Sequence, residues 1–346
     1  MSLQTAITGH APAGSVSAAP ARDDAIDSVR GIAILMVIGI HSLRQPFGAA
    51  ETMVDAALRP AVPLFLFFSG YLTGLAGRVP LGRRIGAVLI PYTIAFAAAY
   101  AYMAAHNAAM DHRPWVTLAR YGLGYVFVYY YVPVYIGCTA LLWLLFRSIN
   151  ARTATAPLCA VLAIAAGFGL VTGCYLDPLL ARNGISEALI EEARLRDIPF
   201  WFAFMAIGAI AGLLRGDGLI KSIAPVLAVG TAAAFLIYSA VRLGNIGDAA
   251  PYDSPALFLY AVLLALTLMA LKPAMPMLAA LGSGSYFIYL WHIFVIMALR
   301  DHTALGAASG LAAASITALI TAIVVMTALF AIRWTLPPRA VQWLGA

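Results

Sequence analysis

The sequence predicts an all-α bundle that crosses a lipid bilayer about ten times, and three observations predict it. Apolar residues make up 63% of the 346-residue chain and charged residues only 10%, against roughly 25% charged in soluble domains. The apolar residues form runs long enough to cross a hydrocarbon core, which takes about 20 residues of helix. The charges gather in short clusters between those runs, and no change in composition marks a second folded domain.

Residues 1–22 are rich in Ala, Ser, Gly and Pro and carry no basic residue before Arg22. They lack the positive start and apolar centre of a secretory signal and are expected to be a disordered cytoplasmic tail. The spans fall at 26–43, 60–77, 85–105, 122–146, 156–176, 198–214, 222–241, 255–271, 283–299 and 310–332, within a membrane domain over 23–335. Residues 336–346 read as a cytoplasmic C-terminal tail. With both termini inside, the inner segments hold 11 Lys and Arg and the outer segments nine, a mild bias of the sign that sets orientation. The expected location is the cell membrane, multi-pass.

Between the spans, Asp177 to Asp197 forms the longest polar connection, with charges at helical spacing. A short amphipathic helix outside the membrane fits it, as a solvated connector or as a lid. The net charge of +6 includes no basic stripe interleaved with aromatics, so no nucleic-acid partner is expected. Cys138, Cys159 and Cys174 have no metal-ligand spacing and read as small core residues; no metal site is expected.

Ionisable groups within spans are costly and usually functional. The first span carries Asp27, Arg30 and Gly31, then an apolar run to His41. Eleven residues turn a helix through about 1100°, some 20° beyond three full turns, and raise it by about 16 Å. Arg30 and His41 therefore share a face. Arg30 is placed to hold an anion at the cytoplasmic surface, and His41 to move a proton deeper in the bundle. The bland alternatives are a snorkelling Arg30 paired with Asp27 and a packed His41.

The second span holds Val62 to Tyr71, including Pro63, Phe65, Ser69 and Gly70. Pro63 is expected to free a backbone carbonyl and Ser69-Gly70 to permit close helix approach, which makes a packing element. Arg78, Arg83 and Arg84 follow, then Pro91. They suit either simple topology or capture of a phosphorylated cytosolic carrier by arginine forks. The ninth span opens on Leu281 to Ser285, with Ser283 or Ser285 as expected caps. It continues through Tyr289 to His292, which is either structural or catalytic.

These stretches, in this order, resemble acyltransferase family 3 of integral membrane proteins. Asp27, Arg30, Gly31 and His41 match its D-x-x-R-G and following histidine. Val62, Pro63, Phe65, Ser69, Gly70 and Tyr71 match its second-span block, with Leu66 in place of a usual phenylalanine. Arg83, Arg84 and Pro91, the small-residue helix from Phe204 to Gly212, and Ser285, Ile288, Tyr289, Leu290 and His292 complete the pattern. One departure is that Ala87 stands where the family's R-x-x-R spacing would put a second arginine after Arg84.

The resemblance implies about ten spans and an acyl-CoA donor, commonly acetyl-CoA, with no bound cofactor. It implies transfer to a hydroxyl of a glycan, lipid-linked sugar or small secondary metabolite. His41 is then the candidate general base or acyl relay, with His292 as second catalytic candidate. Arg30, Arg83 and Arg84 would bind the donor, and Asp27, Ser69, Tyr71 and Tyr289 would contact substrate. A hydrolase-like domain beyond the last span is not expected. The rival readings are a secondary transporter with an Arg/His pathway and a non-catalytic scaffold.

Overall fold

In lipid every backbone polar group must be satisfied within the segment, which leaves helices as the means of spanning for chains of this pattern. A computed structural model describes residues 23–126, 128–151, 153–246, 252 and 254–346; the expected tail, residues 1–22, lies outside the described residues. Among these the regular structure is helical. The helices are α1 (Asp24–Ser42), α2 (Ala49–Leu58), α3 (Ala61–Ala76), α4 (Leu81–His106), α5 (Pro114–Leu123), α6 (Tyr131–Ser148), α7 (Thr155–Arg182), α8 (Glu187–Leu195), α9 (Ile198–Leu213), α10 (Asp217–Ser222), α11 (Ala224–Gly244), α12 (Pro255–Leu271), α13 (Pro276–Ser283), α14 (Ser285–His302), α15 (Gly310–Thr335) and α16 (Pro338–Leu344).

Each of the ten expected spans overlaps one of these helices, but that at 122–146 begins ahead of α6, which starts at Tyr131, and that at 283–299 straddles the break between α13 and α14. Among the described residues, eight segments are long and apolar enough to cross a membrane, two of them formed by α2 with α3 and by α8 with α9. The pair α13–α14, bent by 81°, makes a ninth if it is one span, and α12, at 17 residues, is shorter. The chain is a polytopic helical membrane protein.

Small residues set the closest contacts. Gly70 and Gly74 of α3 face Met205 and Ala209 of α9, while Gly208 and Gly212 of α9 face Phe67 and Tyr71. A Cβ on Gly70 would stand 1.9 Å from the Met205 carbonyl oxygen, and one on Gly208 2.0 Å from that of Phe67. The two helices therefore run side by side with backbones in contact, as small-x-x-x-small pairs allow. Helix α3 is central, contributing Leu64 and Phe67 to the core shared with α1, α4, α14 and α15, and Leu66 to that shared with α6, α7, α9 and α12.

Helix α1 begins at Asp23, whose carboxylate accepts from the Ala25 and Ile26 amides, a side-chain cap. Its Gly31 lets α13 approach: an added Cβ would lie 2.1 Å from the Leu278 carbonyl oxygen. Ser28 accepts from the Met275 amide and donates to the Met275 carbonyl. This holds the first turn of α13 against the Asp27–Gly31 stretch.

Three details differ from expectation. The ninth span is broken at Gly284, and α14 has no side-chain cap there; Ser283 instead donates to the Ala280 carbonyl and accepts from Arg333. Pro63 sits in the first turn of α3, where a helix has no partner for its amide anyway, so no carbonyl is freed mid-span. The Asp177–Asp197 connection does carry a short helix as expected, α8, and an Arg194–Asp177 ion pair ties it to the end of α7. Residues 336–346, expected as a tail, include α16, which packs on α4 and α15.

Candidate active site

Helices α1, α3, α4, α6, α14 and α16 surround a cavity of about 740 Å³, within the range of about 300–1,000 Å³ usual for ligand sites. Arg30, Ser69, Arg83, Arg84 and Tyr289 line it together with Tyr131 and Tyr135. The sequence-predicted donor arginines, from two helices, are thus brought to one space. No Asp or Glu side chain lines it among the described residues, although Ala346, the last residue of the chain, does line it.

The three guanidinium groups are in different states. Arg30 donates from Nη1 to Asp27 Oδ1 at 3.3 Å. Arg83 is exposed. The Nη1 of Arg84 is buried and has no hydrogen-bond partner among the described residues. A buried cationic donor without an acceptor is costly, and its chemistry calls for an anion.

Tyrosines form the inner wall. Tyr289 donates its hydroxyl to the Val128 carbonyl at 2.6 Å, and Tyr286 to the Val88 carbonyl at 2.8 Å. The Tyr131 ring meets Tyr289 edge-on, with centroids 5.5 Å apart. Ser69 Oγ stands 3.5 Å from the Tyr135 hydroxyl, the outer limit of a hydrogen bond.

Neither His41 nor His292 lines the cavity itself. Val37, one turn before His41 on the same face of α1, does. His292 is fully buried one turn beyond Tyr289, with the two rings 6.3 Å apart. Its Nδ1 lies 2.8 Å from the Tyr289 carbonyl oxygen and 3.1 Å from that of Ile288. A carbonyl only accepts, so Nδ1 carries the proton and Nε2 presents a lone pair. That Nε2 is buried with no partner among the described residues, and the ring lies 5.4 Å from the ring of His41.

His41 occupies the last turn of α1. Arg300, farther along α14, donates from Nη2 to the His41 carbonyl at 2.7 Å and to that of Leu43 at 3.2 Å. It thereby caps the carbonyls that end α1, as a cation near a helix C-terminus should.

A second polar cluster lies at this end of the bundle. Asp55 is completely buried and grips Arg59 bidentately, at 3.0 and 2.5 Å, and Arg242 at 3.0 Å. Tyr252 stacks under Arg59 at 4.7 Å, and Arg242 also donates to the Tyr238 hydroxyl. Sequence reasoning missed this cluster because it placed Arg59 in an outer loop. The available signal was the i, i+4 spacing of Asp55 and Arg59 on the helix leading into the second span.

The remaining candidates separate. Asp27 adjoins the cavity only through its bond to Arg30. Tyr71 does not line the cavity; its hydroxyl donates to Asp217, which also binds Lys272. It serves as a tie between α3 and α10.

Comparison with curated proteins and with solved structures gives no match. Residues 23–333 match the acyltransferase family 3 domain, described as an acyltransferase domain. That match covers nearly the whole membrane bundle, the three cavity arginines and both histidines, and ends before α16. The chain belongs to acyltransferase family 3 and is a membrane-embedded acyltransferase.

Proposed function

We propose that the protein moves an acyl group, with acetyl as first candidate, from acyl-CoA to a hydroxyl of a glycan, lipid-linked sugar or secondary metabolite. The observation that carries this reading is the buried Nη1 of Arg84, unpartnered among the described residues, in a cavity that three arginines and no described Asp or Glu side chain line. Arginine forks suit phosphate oxygens, and coenzyme A presents several. The basic-residue bias puts this end toward the cytoplasm, in the cell membrane with both termini inside. The long pantetheine arm suits an anion grip and a base separated by about 16 Å along α1.

In the chemical step, the acceptor hydroxyl gives its proton to a ring nitrogen of His41 as its oxygen attacks the thioester carbonyl carbon. The carbon–sulfur bond then breaks. The departing thiolate of coenzyme A takes that proton back, leaving an ester and the free thiol. A general base of this kind contributes typically 10²–10⁴-fold. His292 orients the base: its Nε2 lone pair lies beside the His41 ring and can accept that ring's N–H, leaving the opposite nitrogen free for the acceptor.

Purified protein in lipid nanodiscs, given radiolabelled acetyl-CoA and candidate acceptors from its host, tests the reading. Label should appear in one acceptor with release of free thiol, and should disappear in the Arg83→Ala/Arg84→Ala variant at limiting donor. Coenzyme A binding unchanged by that double substitution would sink the donor assignment.

A further inference from the structure

The feature that the proposed chemistry leaves unused is the wall of the cavity built by α16. This helix ends in a tight reversal: the Gly345 amide donates to the Gln342 carbonyl and the Ala346 amide to that of Val341. Gly345 has a φ of +79°, the left-handed conformation that glycine allows at a helix C-terminus. Its backbone lies against Tyr286 and Pro91, where an added Cβ would come within 3.1 and 3.2 Å. The reversal thus seats α16 on α4 and α14 and makes Gln342 and Trp343 part of the same cavity as Arg83 and Arg84.

Trp343 is 55% exposed. Of the chain's six tryptophans, Trp343 is the one that lines the cavity; Trp201 is fully buried in the second core, and Trp115 and Trp334, though open, lie outside it. An accessible flat ring beside an arginine pair offers two recognition elements. The arginines take phosphate, and the indole face takes a flat heteroaromatic ring. The Gln342 amide adds a hydrogen-bond donor and acceptor for the edge of such a ring.

We infer that Trp343 and Gln342 form the purine subsite for the donor nucleotide, with Arg83 and Arg84 holding its phosphates. This rests on the acyl-CoA reading above and extends it from the phosphates to the base. The acyl-carrying arm then runs from α16 past Arg30 and Tyr289 toward the histidines, while the nucleotide stays at the α16 wall. Loss of base stacking typically weakens binding roughly five- to a hundredfold.

The test uses the full chain in nanodiscs and two probes, coenzyme A and pantetheine, the latter lacking the nucleotide. Trp343→Ala should weaken coenzyme A binding at least fivefold and move pantetheine binding far less. Trp343→Phe, which keeps a flat ring, should recover most of the loss. Gln342→Ala should weaken coenzyme A alone, by a smaller factor. Equal losses for both probes in Trp343→Ala would mean that α16 merely braces α4, and the subsite would be abandoned. Unchanged coenzyme A affinity would overturn it as well. A wild-type protein that binds no coenzyme A overturns the donor reading itself, an outcome distinct from failure of the subsite alone.

Discussion

The rings of His41 and His292 lie 5.4 Å apart, although they sit on the first and the ninth expected spans. His292 donates from Nδ1 to the backbone of its own helix and keeps Nε2 buried and unpartnered among the described residues. In the mechanism proposed above, this pair supplies the base and its orienting neighbour.

His41→Ala should lower acyl transfer by about 10²–10⁴-fold while leaving coenzyme A binding near wild type. His292→Ala should lower it less. The double variant should fall little below His41→Ala alone, because residues that act as a unit are not additive. Single-turnover rates for the four proteins measure this. Full transfer by a well-inserted His41→Ala protein would end the general-base mechanism.

Arg84 separates binding from stability. Its Nη1 has no partner in the described structure, so truncation removes a buried unsatisfied donor. Arg84→Ala should leave thermal stability unchanged or raised, and weaken coenzyme A binding about 10- to 100-fold, the range for a hydrogen bond to a charged group. Arg84→Lys should restore little, since an ammonium lacks the planar fork. A loss of stability in Arg84→Ala with coenzyme A affinity intact would mark the side chain as structural.

Asp55 is predicted to be a stability residue. It is 0% exposed and compensates two arginines, Arg59 and Arg242, on different helices. Asp55→Ala leaves both uncompensated and should cost about 3–5 kcal/mol, seen as a large fall in thermal midpoint in detergent. Replacing Arg242 as well should recover part of that loss, because one orphaned charge is removed. If Asp55→Ala melts like wild type, the cluster is not buried as described.

Tyr71 belongs to the shared motif, but its hydroxyl is committed to Asp217 at 2.8 Å. Tyr71→Phe should therefore transfer acyl groups at near wild-type rate and lose about 1 kcal/mol of stability. Burial works against the charged Asp217, yet the bonds from Lys272 and Tyr71 hold its carboxyl below its ordinary value. A depressed carboxylate contributes stability that is present above its unfolded pKa, about 4, and is lost as pH falls through the folded value. The melting difference between Tyr71→Phe and wild type should accordingly shrink below about pH 4. A variant that folds normally but has lost transfer would place Tyr71 back in the site.

The sequence by itself determined the class of solvent, the approximate place of the spanning segments, and the small-residue faces. Lipid imposes these rules locally: a helix must be about 20 apolar residues long, and only glycine admits a neighbouring backbone at the distances seen at Gly70 and Gly208. Helical period also placed Arg30 and His41 on one face of α1 without reference to any other segment. Periodicity fixes a face, however, and says nothing of which distant helix meets it. Only the tertiary structure decided that α14 brings His292 to His41, that α11 brings Arg242 to Asp55, and that the break at Gly284 and the left-handed turn at Gly345 bend chain onto the cavity. It also decided that Tyr71 turns to Asp217 while Arg84 Nη1 is left without a partner among the described residues. Those outcomes depend on long-range packing and on which polar group finds another in a dry interior, and neither is written in the spacing of residues along one helix.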